Sequence, residues 1–333
     1  MLKTMLEKAW LALKERGDKM NIVGEYVFYE NGKEICRKSN LLTKYGKRFI
    51  TSYLAGAISF DNKDIAIGIS DVAATVNDSR LGFEFYRSSV NLGSIDIQTD
   101  AGTGNSTYAV VYKTTIPSDV VGTVYEIGLF PTLTEGNSDY SGRFISTFEN
   151  NLNWLDDSGV SATTVTTPAP KIGNTWFSLS ASSNSTNKYS LATVFDISGY
   201  NQNDSFTLAF KQQDTNLDYV FVRLYSSLTD YYEIRFVGDS STTNKINSLA
   251  LSNLYSSGYG SGTPDPTSII KVSIGAKAKN TGATTVLLDG LRINDEDTFN
   301  TYSSLISRSV LTTPIVKTYG REIDVEYRIG LTF

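Results

Sequence analysis

Two hydrophobic periods divide the chain. Leu2, Leu6, Ala9, Trp10 and Leu13 recur every three or four residues, the spacing of one helix face, with Thr4 and Glu7 placed as a capping box and Gly17 as a stop. This predicts an amphipathic helix over residues 1–20, whose apolar face either closes its own domain or anchors on a neighbouring subunit. Residues 24–29 and 34–38 flank Asn31-Gly32, a pair suited to a tight hairpin turn. A second helix is expected next, capped by Ser39 or Asn40, with Leu42, Tyr45, Phe49, Tyr53 and Leu54 on one face and Gly56 as its stop. From Ile65 the period falls to two. Strands are expected over 65–69, 83–86, 89–97, 108–115, 124–130 and 143–148, then over 190–195, 205–211, 219–225, 231–236, 269–276 and 284–293, and finally over 305–310 and 322–333. Short alternating strands joined by polar turns indicate β-sandwich or jelly-roll architecture.

Composition sharpens this picture at two points. Residues 156–190 are rich in Ser, Thr, Asn and Gly and contain Pro168 and Pro170, so residues 156–170 are expected to be a linker into a second domain. The chain has no histidine and one cysteine, Cys36. Internal disulfides, Ser-His-Asp and Cys-His catalysis, and His-based zinc sites are thereby removed. A Ser-Lys dyad or a carboxylate pair is what remains for hydrolysis, and no nucleophile motif accompanies either; the expectation is a protein that is not an enzyme. The net charge of −5 is uneven, because residues 1–50 hold eleven Lys/Arg against six Asp/Glu. That modest excess lacks the dense basic run of a nucleic-acid arm, so no nucleic-acid partner is expected. Glu7, Lys8 and Lys14 interrupt the apolar N-terminal stretch, so neither a signal peptide nor a membrane span is expected.

Four motifs follow one another between residues 40 and 130: Asn40-Leu41-Leu42-Thr43-Lys44-Tyr45-Gly46, Ile65-Ala66-Ile67-Gly68, Arg80-Leu81-Gly82-Phe83-Glu84-Phe85-Tyr86-Arg87 and Tyr125-Glu126-Ile127-Gly128-Leu129-Phe130. In this order they resemble a module of bacteriophage tail, baseplate and fibre proteins. In that family a Ser-Arg strand and a proline-lysine strand soon follow the Glu-Ile-Gly strand. Here their counterparts are Ile306-Ser307-Arg308-Ser309-Val310, Pro314-Ile315-Val316-Lys317 and Val325-Glu326-Tyr327-Arg328-Ile329, far later in the chain. The resemblance therefore implies a discontinuous β-rich assembly domain, residues 21–155 and 303–333, interrupted by an inserted domain over residues 171–302. The insert resembles carbohydrate-binding jelly rolls through Leu191-Ala192-Thr193-Val194-Phe195-Asp196-Ile197-Ser198-Gly199 and Thr285-Val286-Leu287-Leu288-Asp289-Gly290-Leu291-Arg292-Ile293. The fold expected is mainly β: a β-sandwich module with one or two N-terminal helices plus an inserted jelly-roll β-sandwich. The resemblance implies a virion structural component of tail, baseplate, fibre adaptor or head decoration. Its partners would be other virion proteins, copies of itself and a host surface glycan.

Two residue sets are candidates for chemistry. Asp295, Glu296 and Asp297 form an acidic cluster that with Asp289 suits a structural calcium ion, although a solvated acidic turn is the commoner reading of such a cluster; no other cofactor is expected. Tyr219, Tyr225, Tyr231, Tyr232, Tyr255 and Tyr259 offer apolar faces with hydroxyls, the combination that stacks on sugar rings, and also the combination that packs sheets. Tyr231, Tyr232, Tyr255 and Tyr259 are the glycan-binding candidates, the last two because they lie in a Gly/Ser-rich stretch expected to be a loop. Gly258-Tyr259-Gly260-Ser261-Gly262 has the wrong spacing for a dinucleotide fingerprint and is followed by Pro264 and Pro266 rather than a helix. A soluble lectin and a carboxylate-pair glycosidase are the competing functions.

Overall fold

The computed structural model describes residues 21–57, 63–99, 106–131, 143–149, 151–256, 258–294 and 305–332. The chain forms two compact units, Met1–Ser138 with Thr298–Phe333, and Asp139–Asp297. The helix expected over residues 1–20, together with Asp295 and Asp297, lies outside the described residues.

The first unit contains two antiparallel sheets. One joins β1 (Asn21–Glu30), β2 (Lys33–Ser39), β6 (Asn91–Thr99), β7 (Ser106–Ile116) and β20 (Ile323–Thr332) in the order β2-β1-β20-β7-β6. The other joins β3 (Leu41–Leu42), β4 (Lys63–Gly68), β5 (Glu84–Ser89), β8 (Gly122–Pro131) and β19 (Ser307–Lys317) in the order β3-β19-β8-β4-β5. Asn31 and Gly32, at φ of 51° and 75°, make the β1–β2 turn in the left-handed conformation that their side chains tolerate. β20 lies between β1 and β7, and β19 between β3 and β8, so residues 305–332 complete sheets begun by the N-terminal part of the chain. Pro314 sits in an irregular stretch of β19 between Val310 and Ile315, where a missing N–H breaks no ladder bond. Tyr26, Phe28, Val325 and Tyr327 of the first sheet pack with Ile65, Ile67, Ile127 and Leu129 of the second to form the core.

The helix α1 spans Lys44–Leu54 and starts later than expected. Thr43, not Ser39 or Asn40, is its cap: the Gly46 amide donates to Thr43 Oγ1 at 2.9 Å. Leu41 and Leu42 are taken into β3 by pairing with Arg308 and Ser307, which delays the helix. A Cβ on Gly46 would overlap the Ile306 carbonyl, so glycine lets this helix lie against the chain entering β19.

The motifs of the first unit converge on Glu126, which is fully buried. Its Oε1 accepts from the Ser70 amide at 3.1 Å and the Phe83 amide at 2.9 Å, and its Oε2 accepts from the Gly82 amide at 2.9 Å. Arg308, itself 3% exposed, donates through Nε to Glu126 at 3.0 Å, through Nη1 to Asp78 at 2.7 Å and through Nη2 to the Val72 carbonyl at 3.1 Å. A buried charge set with this many donors is satisfied, as burial requires.

The second unit is a sandwich. β11 (Trp176–Ala181), β18 (Thr284–Asn294), β13 (Ser205–Gln212) and β16 (Asn244–Ala250) run in that order in one sheet. β12 (Thr186–Phe195), β17 (Ile269–Ala278), β14 (Leu217–Tyr225) and β15 (Tyr231–Val237) run in that order in the other. Numbering these eight strands along the chain gives 1-8-3-6 facing 2-7-4-5, the strand order of a jelly roll with two Greek keys. Phe177, Leu208 and Leu288 of one sheet meet Val222, Ile234 and Ile274 of the other in the core, with Phe148 and Trp154 packed in from the preceding segment.

Residues 143–170 differ from expectation. β9 (Arg143–Ser146) pairs with β18, and β10 (Thr163–Val165) pairs with β11, so both belong to the second unit rather than to the first domain or a linker. The residues 156–170 read as a linker are held down: Leu155 bridges Ser161 and Ser190, and Trp176 Nε1 donates to the Pro168 carbonyl at 2.6 Å. The Ser/Thr-rich composition reflects an edge strand with one wet face, not a tether.

Candidate functional site

The outer face of the four-stranded sheet carries the strongest candidate. Alternation along β14 sends Leu217, Val220, Val222 and Leu224 into the core. Tyr219, Phe221, Arg223 and Tyr225 therefore lie on the opposite face, where Phe221 and Tyr225 are covered by neighbouring side chains and Tyr219 and Arg223 are half-buried. Register extends that face into cross-strand rows. Ala192, Lys271, Tyr225 and Tyr231 form one row; Ser190, Ser273, Arg223 and Glu233 the next; then Lys188, Gly275, Phe221 and Arg235; then Thr186, Lys277, Tyr219 and Val237.

These rows interlock cations with rings. The Arg235 guanidinium lies 4.4 Å from the Tyr219 ring centroid and 3.6 Å from that of Tyr259. Arg223 sits 4.7 Å from both Phe221 and Tyr231, and Lys271 Nζ is 3.9 Å from Tyr225. Tyr225 and Tyr231 approach at 4.9 Å between centroids. Glu233, 1% exposed, accepts from Arg223 Nε and Arg235 Nε, each at 2.6 Å, one on each oxygen. This bridge fixes both guanidiniums on their neighbouring rings. Phe221 lies across Gly275, where any Cβ would collide with its ring, so the glycine makes the bed for the aromatic row.

The Gly/Ser-rich stretch is a strap on the edge of β15. Ser261 and Tyr231 exchange two backbone hydrogen bonds, at 2.9 and 3.0 Å. Gly258 and Gly262 take φ of 68° and 69°, and a Cβ on Gly260 would lie 2.6 Å from the Tyr231 carbonyl oxygen. Only glycine lets the strap approach so closely, and the strap lays Tyr259, 47% exposed, over Arg235.

The four tyrosines proposed from sequence are thus divided. Tyr231 and Tyr259 belong to the outer face. Tyr232 and Tyr255 pack edge to face at 5.2 Å on the rim of the core. Their hydroxyls donate to the carbonyls of Pro264, at 2.8 Å, and Ile197, at 3.4 Å. Burial pushes the Tyr255 hydroxyl up to about 12. Tyr255 lies in the short helix α2 (Ser252–Tyr255) rather than in a loop. Arg223, Glu233, Arg235 and Lys271 were not among the sequence candidates. Their alternation was visible, but the pairing that brings β14, β15 and β17 together is long-range.

Asp289 is 1% exposed, and its oxygens accept from the amides of Lys171 at 2.9 Å and Ile172 at 3.1 Å. Burial pushes its carboxyl up to about 7. Glu149 binds the same loop, accepting from the amides of Asn174 at 2.9 Å and Thr175 at 3.1 Å. Among the described residues no three Asp, Glu or Cys side chains gather as a metal-ligand set, and no helix is long and apolar enough to cross a membrane. In the first unit a concavity of about 640 Å³ is lined by Lys38, Asn40, Asp71, Tyr125, Arg308 and Thr312 among others. It offers one aromatic ring, and its arginine is already bound to Asp78 and Glu126.

No protein-family model and no curated protein matches the chain. Among solved structures it is similar to the family 11 carbohydrate-binding module of a cellulosomal cellulase of Clostridium thermocellum, at 17% identity over 46% of this chain and 94% of that one, with a TM-score of 0.34. It is also similar to a family 30 carbohydrate-binding module, at 15% identity over 44% of this chain and 79% of that one, TM-score 0.34. A carbohydrate-binding module specific for non-crystalline cellulose matches at 14% identity over 46% of this chain and 96% of that one, TM-score 0.31. The jelly-roll assignment stands on the strand order itself.

Proposed function

We propose that the second unit is a non-catalytic glycan-binding module whose site is the outer face of β14, β15 and β17. The observation that carries this reading is the ring-and-guanidinium array on the exterior of a sandwich whose core is complete without it. Tyr219, Tyr231 and Tyr259 keep ring surface open at this face, while Phe221 and Tyr225 are buried beneath the cations, and the guanidinium and lysine N–H groups suit hydroxyl-rich ligands. A glycosidase needs two carboxylates facing a cleft. This sheet face offers one, Glu233, and both its oxygens are bonded to arginine. The test is a glycan array probed with the full chain: binding to a defined subset of glycans, lost on Tyr259→Ala, supports the reading, and an array without a hit overturns it.

We further propose that the first unit is the assembly module of a multi-copy bacteriophage virion component and that the second unit is the displayed part. What supports this is the meeting of three separated motifs, with Gly82 and Phe83 of one and Arg308 of another bonded to Glu126 of the third. A single oligomeric species in light scattering supports it; a monomer at all concentrations contradicts it.

A further inference from the structure

We infer that the glycan taken by this face is acidic, bearing carboxylates, and that charge selects it; this rests on the glycan-binding reading above. The chain as a whole carries −5. Yet the outward rows of the four-stranded sheet hold Lys188, Arg223, Arg235, Lys271 and Lys277 against one carboxylate, Glu233. Asp157 at the β12 edge pairs with Lys188 at 2.5 Å and offsets that lysine alone. Glu233 bridges two guanidiniums and cancels one of their two charges, so the Arg223–Glu233–Arg235 trio keeps a net charge of +1. A positive face on an acidic molecule is selective by sign: it attracts anionic chains and the rest of the surface repels them.

The geometry favours carboxylate over a diffuse anion. Arg223 and Arg235 keep their side chains 24% and 28% exposed while Glu233 holds them through Nε, so each planar fork is fixed in orientation beside a ring. A fixed guanidinium fork matches a carboxylate in two parallel hydrogen bonds, and the adjoining ring covers the apolar face of the same sugar. Lys271 stands one strand away on β17 with its ammonium over Tyr225, whereas the Lys277 ammonium donates to the Asn184 carbonyl at 2.6 Å and adds charge to the face rather than a free donor. The site therefore reads a sugar bearing a carboxylate rather than a neutral glucan.

The test uses the full chain and matched polysaccharides: polygalacturonate, alginate and hyaluronan, each with its methyl-esterified or carboxyl-reduced counterpart, in affinity electrophoresis and calorimetry. The acidic form of at least one is expected to bind about tenfold or more tighter than its neutral counterpart at low salt, with the advantage shrinking as salt rises. Arg235→Gln should abolish the preference. Because that change disturbs Glu233, the double variant Lys271→Gln/Lys277→Gln provides an independent reading and should weaken acidic binding about tenfold. Equal binding of acidic and neutral forms overturns this inference while leaving glycan binding intact. Equal binding of polyglutamate overturns it as simple ion exchange. Binding of no polysaccharide in either form overturns both proposals.

Discussion

Replacing Arg308 with methionine tests whether Glu126 organises the first unit. The substitution keeps an unbranched side chain of similar length and removes the charge that meets Glu126 at 2.7 Å and Asp78 at 2.7 Å. Breaking one partner from a buried ion pair costs about 3–5 kcal/mol, because the remaining charge stays desolvated. Glu126 keeps three backbone donors, from Ser70, Gly82 and Phe83, which places the loss near the lower end, about 3 kcal/mol. Hydrogen exchange read by mass spectrometry on the intact protein separates the two units. The slowest amides of β4, β8 and β19 should lose about a hundredfold in protection, since each 1.4 kcal/mol is a factor of ten. Peptides from β13, β14 and β17 serve as the internal reference and should be unchanged. Protection in β8 and β19 that stays within about threefold of the parent would refute the argument that this network is integral to the fold.

Asp289 should make the second unit less stable as pH rises. Its folded pKa of about 7 stands above the ordinary 3.8, so the native state holds a proton that the unfolded chain releases between those values. The associated stability is complete below about pH 4 and is lost through pH 7, on the order of 4 kcal/mol in all. Urea unfolding followed by Trp154 and Trp176 fluorescence should show this slope flattened in Asp289→Asn, and parallel profiles for the two proteins would count against it. Gly46→Ala should destabilise despite the better helix propensity of alanine: about 1 kcal/mol is gained locally, and overpacking against the Ile306 carbonyl costs up to about 3. A raised melting temperature would contradict that. Gly275→Ala should displace Phe221 and lower glycan affinity more than overall stability; calorimetry and thermal unfolding on the same sample separate the two.

The alternation of Tyr219–Tyr225 and Tyr231–Phe236 made β14 and β15 readable, and the same regularity exposed the mainly β class. β11 was hidden because Trp176, Phe177 and Leu179 sit in a Ser/Thr/Asn-rich stretch whose composition outweighs three apolar residues. β16 was hidden because only Ile246, Leu249 and Ala250 among Asn244–Ala250 are apolar, as suits an edge strand wet on one side. Adjacent Tyr231 and Tyr232 must point to opposite faces of a strand, so the division between platform and core rim was implicit in period two. Which face was the core depended on the sheet partner. The Arg223–Glu233–Arg235 bridge depended on register, since Arg223 and Glu233 are ten residues apart in sequence and directly opposed in space.

The most direct test of the central claim is where a bound glycan protects the protein. With the tightest ligand from the array, hydrogen exchange should slow in peptides covering β14, β15 and residues 258–262, with Tyr259→Ala abolishing the effect. Protection confined instead to β13 and β18, or to the concavity beside Arg308 in the first unit, would contradict the assignment of the site to this sheet face.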